Sequence, residues 1–241
     1  MNPERRQILG WGAAAAAGAA LAPGLRLVEL ALARTPEEAA SKLQRWGLLI
    51  DIEKCSDCDA CVTACHEENG VTGHGRPATD AQWIRKASLR DRATGVVQTL
   101  PLMCQHCEHP PCVDVCPTGA SFRRADGIVL VDKHICIGCR YCVMACPFGA
   151  RSFVHEPLTG QKPDVPRGKG TVESCTLCVH RVDRGQTPAC VEACGRDGQG
   201  AMAFGDLNDA AGAIGARLRR EPSTPLRPDL ALNPGVRYQH L

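Results

Sequence analysis

Aromatic residues, strong net charge and long apolar runs are all scarce in this chain of 241 residues. Phe, Trp and Tyr make up 4% of the sequence, so aromatic rings can fill only a small part of a hydrophobic core. The formal net charge is +2, which excludes the basic field typical of nucleic-acid-binding domains, so no nucleic-acid partner is expected. Beyond residues 1–33 no stretch approaches the length of a membrane-spanning helix, so membrane association is expected through a partner only.

The usual signatures of a catalytic site are missing as well. The sequence contains no Gly-rich nucleotide-binding loop and no convincing nucleophile triad. Most of the eight histidines, among them His66, His106, His109 and His180, lie beside cysteines, where packing or hydrogen bonding is commoner than base catalysis. We therefore predict no catalytic residue and no substrate site of the chain's own.

Cysteine, in contrast, is abundant, and its spacing is regular. Sixteen cysteines form four quartets with none left over. The quartets are Cys55, Cys58, Cys61 and Cys65; Cys104, Cys107, Cys112 and Cys116; Cys136, Cys139, Cys142 and Cys146; and Cys175, Cys178, Cys190 and Cys194. The third reads C-x2-C-x2-C-x3-C before Pro147, which is the bacterial ferredoxin pattern. The quartets predict four [4Fe–4S] clusters and a function in electron transfer.

The spacing also predicts how such a cluster is held. Three cysteines on a tight turn present their sulfurs to one side, whereas the fourth follows after a helical turn and faces away. In two-cluster ferredoxins that fourth cysteine ligates the other cluster. Pro117 and Pro147 follow the fourth cysteines of quartets two and three, where a proline ends the local helix.

Two other uses of cysteine compete with this interpretation. Structural zinc favours paired C-x2-C knuckles, but it has no need of the third cysteine or of the Cys-Pro endings. A disulfide scaffold fits an exported chain, but about 200 residues can build a core without one. Iron and acid-labile sulfide in equal amounts would support clusters, whereas zinc or the lack of titratable thiols would support the alternatives.

The first residues predict export. Arg5-Arg6 precedes a weakly apolar stretch, residues 8–22, and Ala31-Leu32-Ala33 provides an A-x-A cleavage pattern. These features predict a twin-arginine signal peptide over residues 1–33, with an uncleaved leader as the alternative. Twin-arginine export carries folded proteins, which suits a chain that folds around its cofactors. We expect a periplasmic protein.

A strand, a cysteine turn and a short helix recur along the chain, which predicts an α+β fold. Strands are expected at 48–52, 83–86, 96–98 and 128–131. The fold class is then two interlocked bacterial ferredoxin-like two-cluster units with loop insertions and an extended C-terminal tail. The expected parts are the signal peptide 1–33; an outer unit, 34–95 with 168–210, carrying quartets one and four; an inner unit, 96–156, carrying quartets two and three; a solvated loop, 157–167; and a C-terminal extension, 211–241. The Pro-rich tail from Glu221 is expected to pack along a surface.

Several motifs resemble a known family over residues 47–210. They are CHEENGV at Cys65–Val71, CQHCEHPPC at Cys104–Cys112, CIGCRYC at Cys136–Cys142, CPFGA at Cys146–Ala150, CVHR at Cys178–Arg181, PACVEAC at Pro188–Cys194 and FGDLND at Phe204–Asp209. Through them the chain resembles the four-cluster iron–sulfur subunits of the dimethyl-sulfoxide, polysulfide and tetrathionate reductase type. The leader, Val165–Gly170 and Arg227–Leu230 favour the exported subunit of the membrane complex associated with dissimilatory sulfite reductase. Gly195 and Ser174 stand where the family usually has proline and lysine.

The resemblance implies ligand sets that cross between quartets. The local spacing supports crossing in general, whereas the pairing of quartet one with quartet four comes from the family. The implied sets are Cys55, Cys58 and Cys61 with Cys194; Cys175, Cys178 and Cys190 with Cys65; Cys104, Cys107 and Cys112 with Cys146; and Cys136, Cys139 and Cys142 with Cys116.

The implied function is transfer of single electrons through four clusters. The expected partners are a polytopic, quinone-reactive membrane subunit and other redox subunits such as a multihaem cytochrome, in dissimilatory sulfur metabolism. The alternative is the electron-transfer subunit of a molybdopterin oxidoreductase such as tetrathionate, polysulfide or dimethyl-sulfoxide reductase.

Overall fold

The computed structural model describes residues 40–55, 58–76 and 78–241, so the predicted signal peptide lies outside the described residues. The strands are β1 (Trp46–Asp51), β2 (Ile84–Arg90), β3 (Val97–Met103), β4 (Ser121–Arg123), β5 (Val129–Val131), β6 (Ser152–Phe153), β7 (Val172–Glu173), β8 (Met202–Asp206) and β9 (Val236–Gln239). The helices are α1 (Ala60–Asn69), α2 (Pro111–Asp114), α3 (Tyr141–Ala145), α4 (Val179–Val182), α5 (Ala189–Arg196) and α6 (Ala213–Arg220), with a 3₁₀ turn at Pro228–Leu230. This mixture of short elements confirms the α+β class.

The central sheet has three strands in the order β8-β1-β9. Strand β1 pairs antiparallel with β8 and parallel with β9, so that Leu48 lies opposite both Phe204 and Val236. Leu48, Leu49 and Ile50 are fully buried. A strand buried on both faces has a continuous apolar sequence and not an alternating one, which explains the Leu-Leu-Ile run. The strand predicted at 48–52 is confirmed, although it begins two residues earlier.

The C-terminal tail contributes to this sheet, in contrast to the expectation that it lies along a surface. Its last strand, β9, is almost entirely buried, and the Tyr238 ring has no exposed surface. The Tyr238 hydroxyl donates to the carbonyl of Pro101 at 3.0 Å and accepts from Gln105 Nε2 at 3.3 Å. The physical reason is that one edge of β1 would otherwise expose unpaired N–H and C=O groups, which β9 satisfies.

Three antiparallel strand pairs complete the described sheets: β2–β3, β4–β5 and β6–β7. The strands predicted at 83–86, 96–98 and 128–131 overlap β2, β3 and β5, each of which begins one residue later, and β2 and β3 also extend further. Hairpin β4–β5 lies between the second and third cysteine quartets. Over the described residues, no helix combines the length and the apolar character needed to cross a membrane.

The loop expected to be solvated, 157–167, is exposed at most positions, but Val165 and Arg167 are buried. The Arg167 guanidinium donates to both carboxylate oxygens of Glu173 in β7, at 2.9 and 2.6 Å. It also donates to the carbonyl of Gly70, just after α1. The buried Glu173 carboxylate compensates the charge of Arg167, so the arginine is stable in the interior. The Arg167–Glu173 pair therefore anchors the end of the loop.

Candidate metal centres

All sixteen cysteines lie in the described part of the chain, and no disulfide joins any of them. In that same part, no three Cys, His, Asp or Glu side chains converge closely enough to hold a single metal ion. Zinc binds each thiolate at about 2.3 Å and therefore draws four sulfurs almost into contact. Thiols that share a cavity but stand farther apart fit a cubane, whose four iron atoms each bind one sulfur.

Two helices with the same cysteine pattern position four of the sixteen thiols. Helix α1 carries Cys61 and Cys65, and α5 carries Cys190 and Cys194. Residues four apart are neighbours on a helix surface, so each pair shares one face. The two helices pack against each other. This packing brings cysteines of the first and fourth quartets together.

The first thiol set consists of Cys55, Cys58, Cys61 and Cys194, and its members line one cavity together with Met202. Burial raises the pKa of the Cys61 thiol to about 11, and the nearby thiols of Cys194, Cys55 and Cys58 add to the effect. The Cys194 thiol raises the pKa of Cys61 more than Cys55 or Cys58 of quartet one does.

The second thiol set consists of Cys65, Cys175, Cys178 and Cys190, and all four are buried. Burial raises the pKa values of Cys175 and Cys190 most strongly. The nearby Cys65 thiol is the second-largest cause of the increase for both residues. The Asn69 amide lies 3.7 Å from the Cys65 sulfur and 3.9 Å from the Cys178 sulfur. A donor that reaches two sulfurs at once favours their charged, thiolate form.

The third thiol set consists of Cys104, Cys107, Cys112 and Cys146, which line a second cavity with Phe148 and Arg151. Burial raises the pKa of Cys104 and of Cys107 to about 12. For Cys107 the thiols of the other three members add to the effect of burial.

The fourth thiol set brings together Cys116, Cys136 and Cys142, to which the resemblance adds Cys139 as the fourth member. Burial raises the pKa of Cys142, and the thiols of Cys136 and Cys116 contribute. Cys139 is exposed, in contrast to Cys142. The backbone N–H of Ser121 donates to the Cys116 sulfur at 3.3 Å, and that of Val172 to the Cys136 sulfur at 3.5 Å.

A glycine shapes the turn between Cys136 and Cys139. Gly138 has φ of +70°, and a Cβ placed on it would lie 2.2 Å from the Gly170 carbonyl oxygen. Only glycine satisfies both the left-handed backbone and the close approach of the chain before β7. The C-x2-C turn thus depends on its middle residues as well as on its cysteines.

Thiols of one set also affect the pKa values of thiols in another set. Cys61 of the first set contributes to the raised pKa values of Cys65 and Cys190, after burial and the second set's own thiols. Cys104 of the third set contributes to the pKa of Cys175, again after burial and nearer thiols. Cys142 of the fourth set contributes in the same way to the pKa of Cys112. Thiols of different sets thus influence one another between the first and second, the second and third, and the third and fourth sets.

The chemistry of these sets fits iron–sulfur clusters. Clustered, buried thiols raise one another's pKa because negative charges repel in a medium of low polarity. Such thiols become thiolates only when cations compensate them, and iron supplies that positive charge. Each set offers four sulfurs, which is the ligand number of a [4Fe–4S] cluster. Bound clusters would supply one-electron redox chemistry.

Two further residues at these sites were not predicted from the sequence. Asn69 follows Cys65 by four residues on α1, and that helical spacing is a signal that could have identified it. Arg151 lies five residues after Cys146 and is buried beside thiols of two sets. No sequence spacing indicates the latter contact, because it depends on the packing of α2 against α3.

Comparison with known proteins places the chain in a family. Residues 95–207 match a family described as a 4Fe-4S dicluster domain, and residues 54–120 match a second family with the same description. The Hdr-like menaquinol oxidoreductase iron-sulfur subunit 1 of Archaeoglobus fulgidus is 42% identical over 98% of both chains. A tetrathionate reductase subunit of Salmonella typhimurium is 37% identical over 99% of this chain and 88% of its own. A sulfite dehydrogenase subunit of Allochromatium vinosum is 37% identical over 80% of this chain and 81% of its own.

Two dicluster domains correspond to four clusters, the number that sixteen cysteines can ligate. The similarity to iron–sulfur subunits extends along nearly the whole chain and exceeds one third identity. The chain therefore belongs to the ferredoxin-type iron–sulfur subunits of oxidoreductase complexes, and it transfers electrons through four [4Fe–4S] clusters.

Proposed function

We propose that the four thiol sets are the ligand sets of the four clusters. The observation that carries the proposal is that α1 and α5 each provide one cysteine to the first set and one to the second. In this arrangement neither quartet one nor quartet four holds a cluster alone. The two ends of the iron–sulfur region are then joined through both clusters.

A second pair of helices supports the same arrangement in the middle of the chain. Helices α2 and α3 pack together and carry Cys112 and Cys142. Cys146 lies with Cys112 in the third set, and Cys116 lies with Cys142 in the fourth. Crossing in both pairs makes two interlocked two-cluster units, with quartets two and three in the inner one.

The order of the sets defines a proposed route for electrons. The second set is entirely buried, and three of the four cysteines of the third are buried. The first set includes half-buried Cys55 and Cys58, and the fourth includes exposed Cys139. Exposed sets at both ends and buried sets between them favour entry at one terminal cluster and exit at the other.

Anaerobic purification followed by metal analysis and dithionite titration tests the cluster assignment. We expect brown protein with equal iron and acid-labile sulfide, and four one-electron signals in paramagnetic resonance. Material that contains zinc in place of iron, or that stays silent after dithionite with cluster assembly attempted, would contradict the assignment.

We place this route between a quinone-reactive membrane subunit and another redox subunit, such as a multihaem cytochrome, in dissimilatory sulfur metabolism. The support is the match to a menaquinol oxidoreductase subunit from Archaeoglobus fulgidus, which covers nearly all of both chains. Together with the sequence motifs, it favours the exported iron–sulfur subunit of the complex associated with dissimilatory sulfite reductase.

The second candidate is the electron-transfer subunit of a molybdopterin oxidoreductase, which the tetrathionate reductase relative supports. Purification of the native complex on a tagged chain distinguishes the two. A heterodisulfide-reductase-like subunit and a multihaem cytochrome, without molybdenum, support the first candidate. A large subunit with molybdenum in equal amount to this chain supports the second.

Export by the twin-arginine route has its own test. We expect a double variant, Arg5→Lys with Arg6→Lys, to leave loaded protein in the cytoplasm, because that route recognises the arginine pair. N-terminal sequencing of the wild-type protein should begin at Arg34. Detection of Met1 on periplasmic protein would instead show that the leader is retained.

A further inference from the structure

Arg151 is buried without an oxygen acceptor. The residue is 5% exposed, and its three guanidinium nitrogens have no oxygen acceptor among the described groups. Arg167 is buried to a similar degree but forms two hydrogen bonds with Glu173. An unpaired buried charge is unfavourable, so the position of Arg151 requires a compensating negative charge that is not a carboxylate.

The groups that surround Arg151 are thiols of two different sets. It lines the cavity of the third set, beside Cys104 and Cys112. The guanidinium also lies within hydrogen-bonding reach of the Cys142 thiol. Cys142 belongs to the fourth set, so the guanidinium lies between the two sets.

The Arg151 guanidinium is a side-chain hydrogen-bond partner of both Cys112 and Cys142. A guanidinium presents a planar fork with donors on more than one side, and it keeps its charge at any physiological pH. A lysine ammonium is a single point charge and cannot direct donors at two sulfurs in the same way.

We propose that Arg151 is a positioning residue that bridges the third and fourth clusters and raises the reduction potential of both. The inference rests on the ligand sets proposed above. Reduction adds one electron, and therefore one negative charge, to each cluster, and a fixed positive charge between them favours the reduced form. Hydrogen bonding and local charge are the means by which proteins set such potentials.

Redox titration of an Arg151→Gln variant, with dithionite as the reductant and paramagnetic resonance as the readout, tests this proposal. We expect two of the four signals to shift to lower potential, each by at least a tenfold change in the ratio of reduced to oxidised cluster. For a one-electron couple that change corresponds to about 59 mV. The other two signals should stay where they are.

Arg124→Gln is the matched control. Arg124 is also largely buried, but it is held by Asp126 and Asp183 and has no thiol among the groups that affect its pKa. This variant should lower thermal stability and leave the four potentials of the wild-type protein unchanged. Equal shifts in both variants would assign the effect to general loss of structure and overturn the proposal.

Further outcomes separate this inference from the cluster ligation on which it rests. If iron and sulfide contents are complete in Arg151→Gln and all four potentials are unchanged, the bridging role is wrong while the ligand sets stand. If Arg151→Gln does not assemble its clusters, the same redox titration is carried out on an Arg151→Lys variant. We expect it to load and to lower at least one of the same two potentials, and four unchanged potentials would overturn the proposal.

Discussion

Arg167 and Glu173 form a two-point ion pair in the interior of the protein, with N···O distances of 2.9 and 2.6 Å. Their side chains are 5% and 0% exposed. Because Arg167 also donates to the Gly70 carbonyl, this pair connects β7 and the preceding loop to the end of α1. It therefore links the helix that carries Cys61 and Cys65 of quartet one to the strand that leads into Cys175 of quartet four.

Removal of the carboxylate charge in a Glu173→Gln variant should be strongly destabilising. Arg167 would remain buried without a counter-charge, a situation that costs about 3–5 kcal/mol. We expect faster bleaching of the cluster absorption in guanidinium chloride and a lower melting temperature. Asp164→Asn is the control, since the Asp164–Arg184 pair is more than half exposed and such pairs contribute about 0–1 kcal/mol. Similar effects of the two substitutions would contradict the structural role of the pair.

The crossed ligand sets predict which double substitutions lose one cluster and which lose two. Cys61 and Cys194 belong to the same set, so Cys61→Ser with Cys194→Ser should remove one quarter of the iron, no more than either single variant. Cys61 and Cys65 belong to one quartet but to different sets. Cys61→Ser with Cys65→Ser should therefore remove half of the iron. The opposite pattern, measured as iron and labile sulfide per chain, would show that each quartet holds its own cluster.

The turn at Gly138 should not accept a side chain. In Gly138→Ala the new Cβ would approach the Gly170 carbonyl oxygen within 2.2 Å, and the φ of +70° adds strain. We expect loss of the fourth cluster or a markedly lower yield of loaded protein. Gly185→Ala is closely matched, because its φ is +71° and no atom lies within 4 Å of the added Cβ. That variant should cost only about 1 kcal/mol and keep all four clusters. Equal cluster contents in the two variants would remove the steric argument.

Local sequence predicted those parts of the fold that depend on local chemistry. The apolar run at 48–50 indicated β1 because a strand covered on both faces excludes polar side chains. Strand β9 carried no comparable signal, since Val-Arg-Tyr-Gln follows a Pro-rich segment and its burial depends on the open edge of β1. The burial of β1 is evident from its own sequence, whereas the burial of β9 is evident only from its pairing with β1.

The same distinction applies to the metal centres. The quartets were evident from spacing, because a compact cluster needs sulfurs on a tight turn and one helical turn beyond. Arg151 was not evident, because its significance depends on thiols that α2 and α3 bring together from separate motifs. Asn69 is intermediate: its spacing from Cys65 is local, but its approach to Cys178 is not.

Asn69 should raise the potential of the second cluster. Its amide lies near the sulfurs of Cys65 and Cys178 and donates to the Cys65 carbonyl at 2.8 Å. Donors to ligand sulfurs stabilise the more negative, reduced cluster. In Asn69→Leu we expect one of four redox signals to move to lower potential. Asn208→Leu, which removes an exposed amide bonded to the Leu43 carbonyl, should leave all four unchanged. A shift in the control, or none in Asn69→Leu, would exclude this role.

The hydroxyl of Tyr238 should anchor the C-terminal strand without affecting electron transfer. It donates to Pro101 and accepts from Gln105 in the interior, so Tyr238→Phe leaves a buried carbonyl and a buried amide less well satisfied. Such a loss costs about 1–3 kcal/mol. We expect a lower melting temperature, measured by the loss of cluster absorption, with four unchanged potentials. Tyr141 is 55% exposed, so Tyr141→Phe serves as the control and should melt like the wild-type protein. If the two variants melt alike, β9 is not held by this hydroxyl.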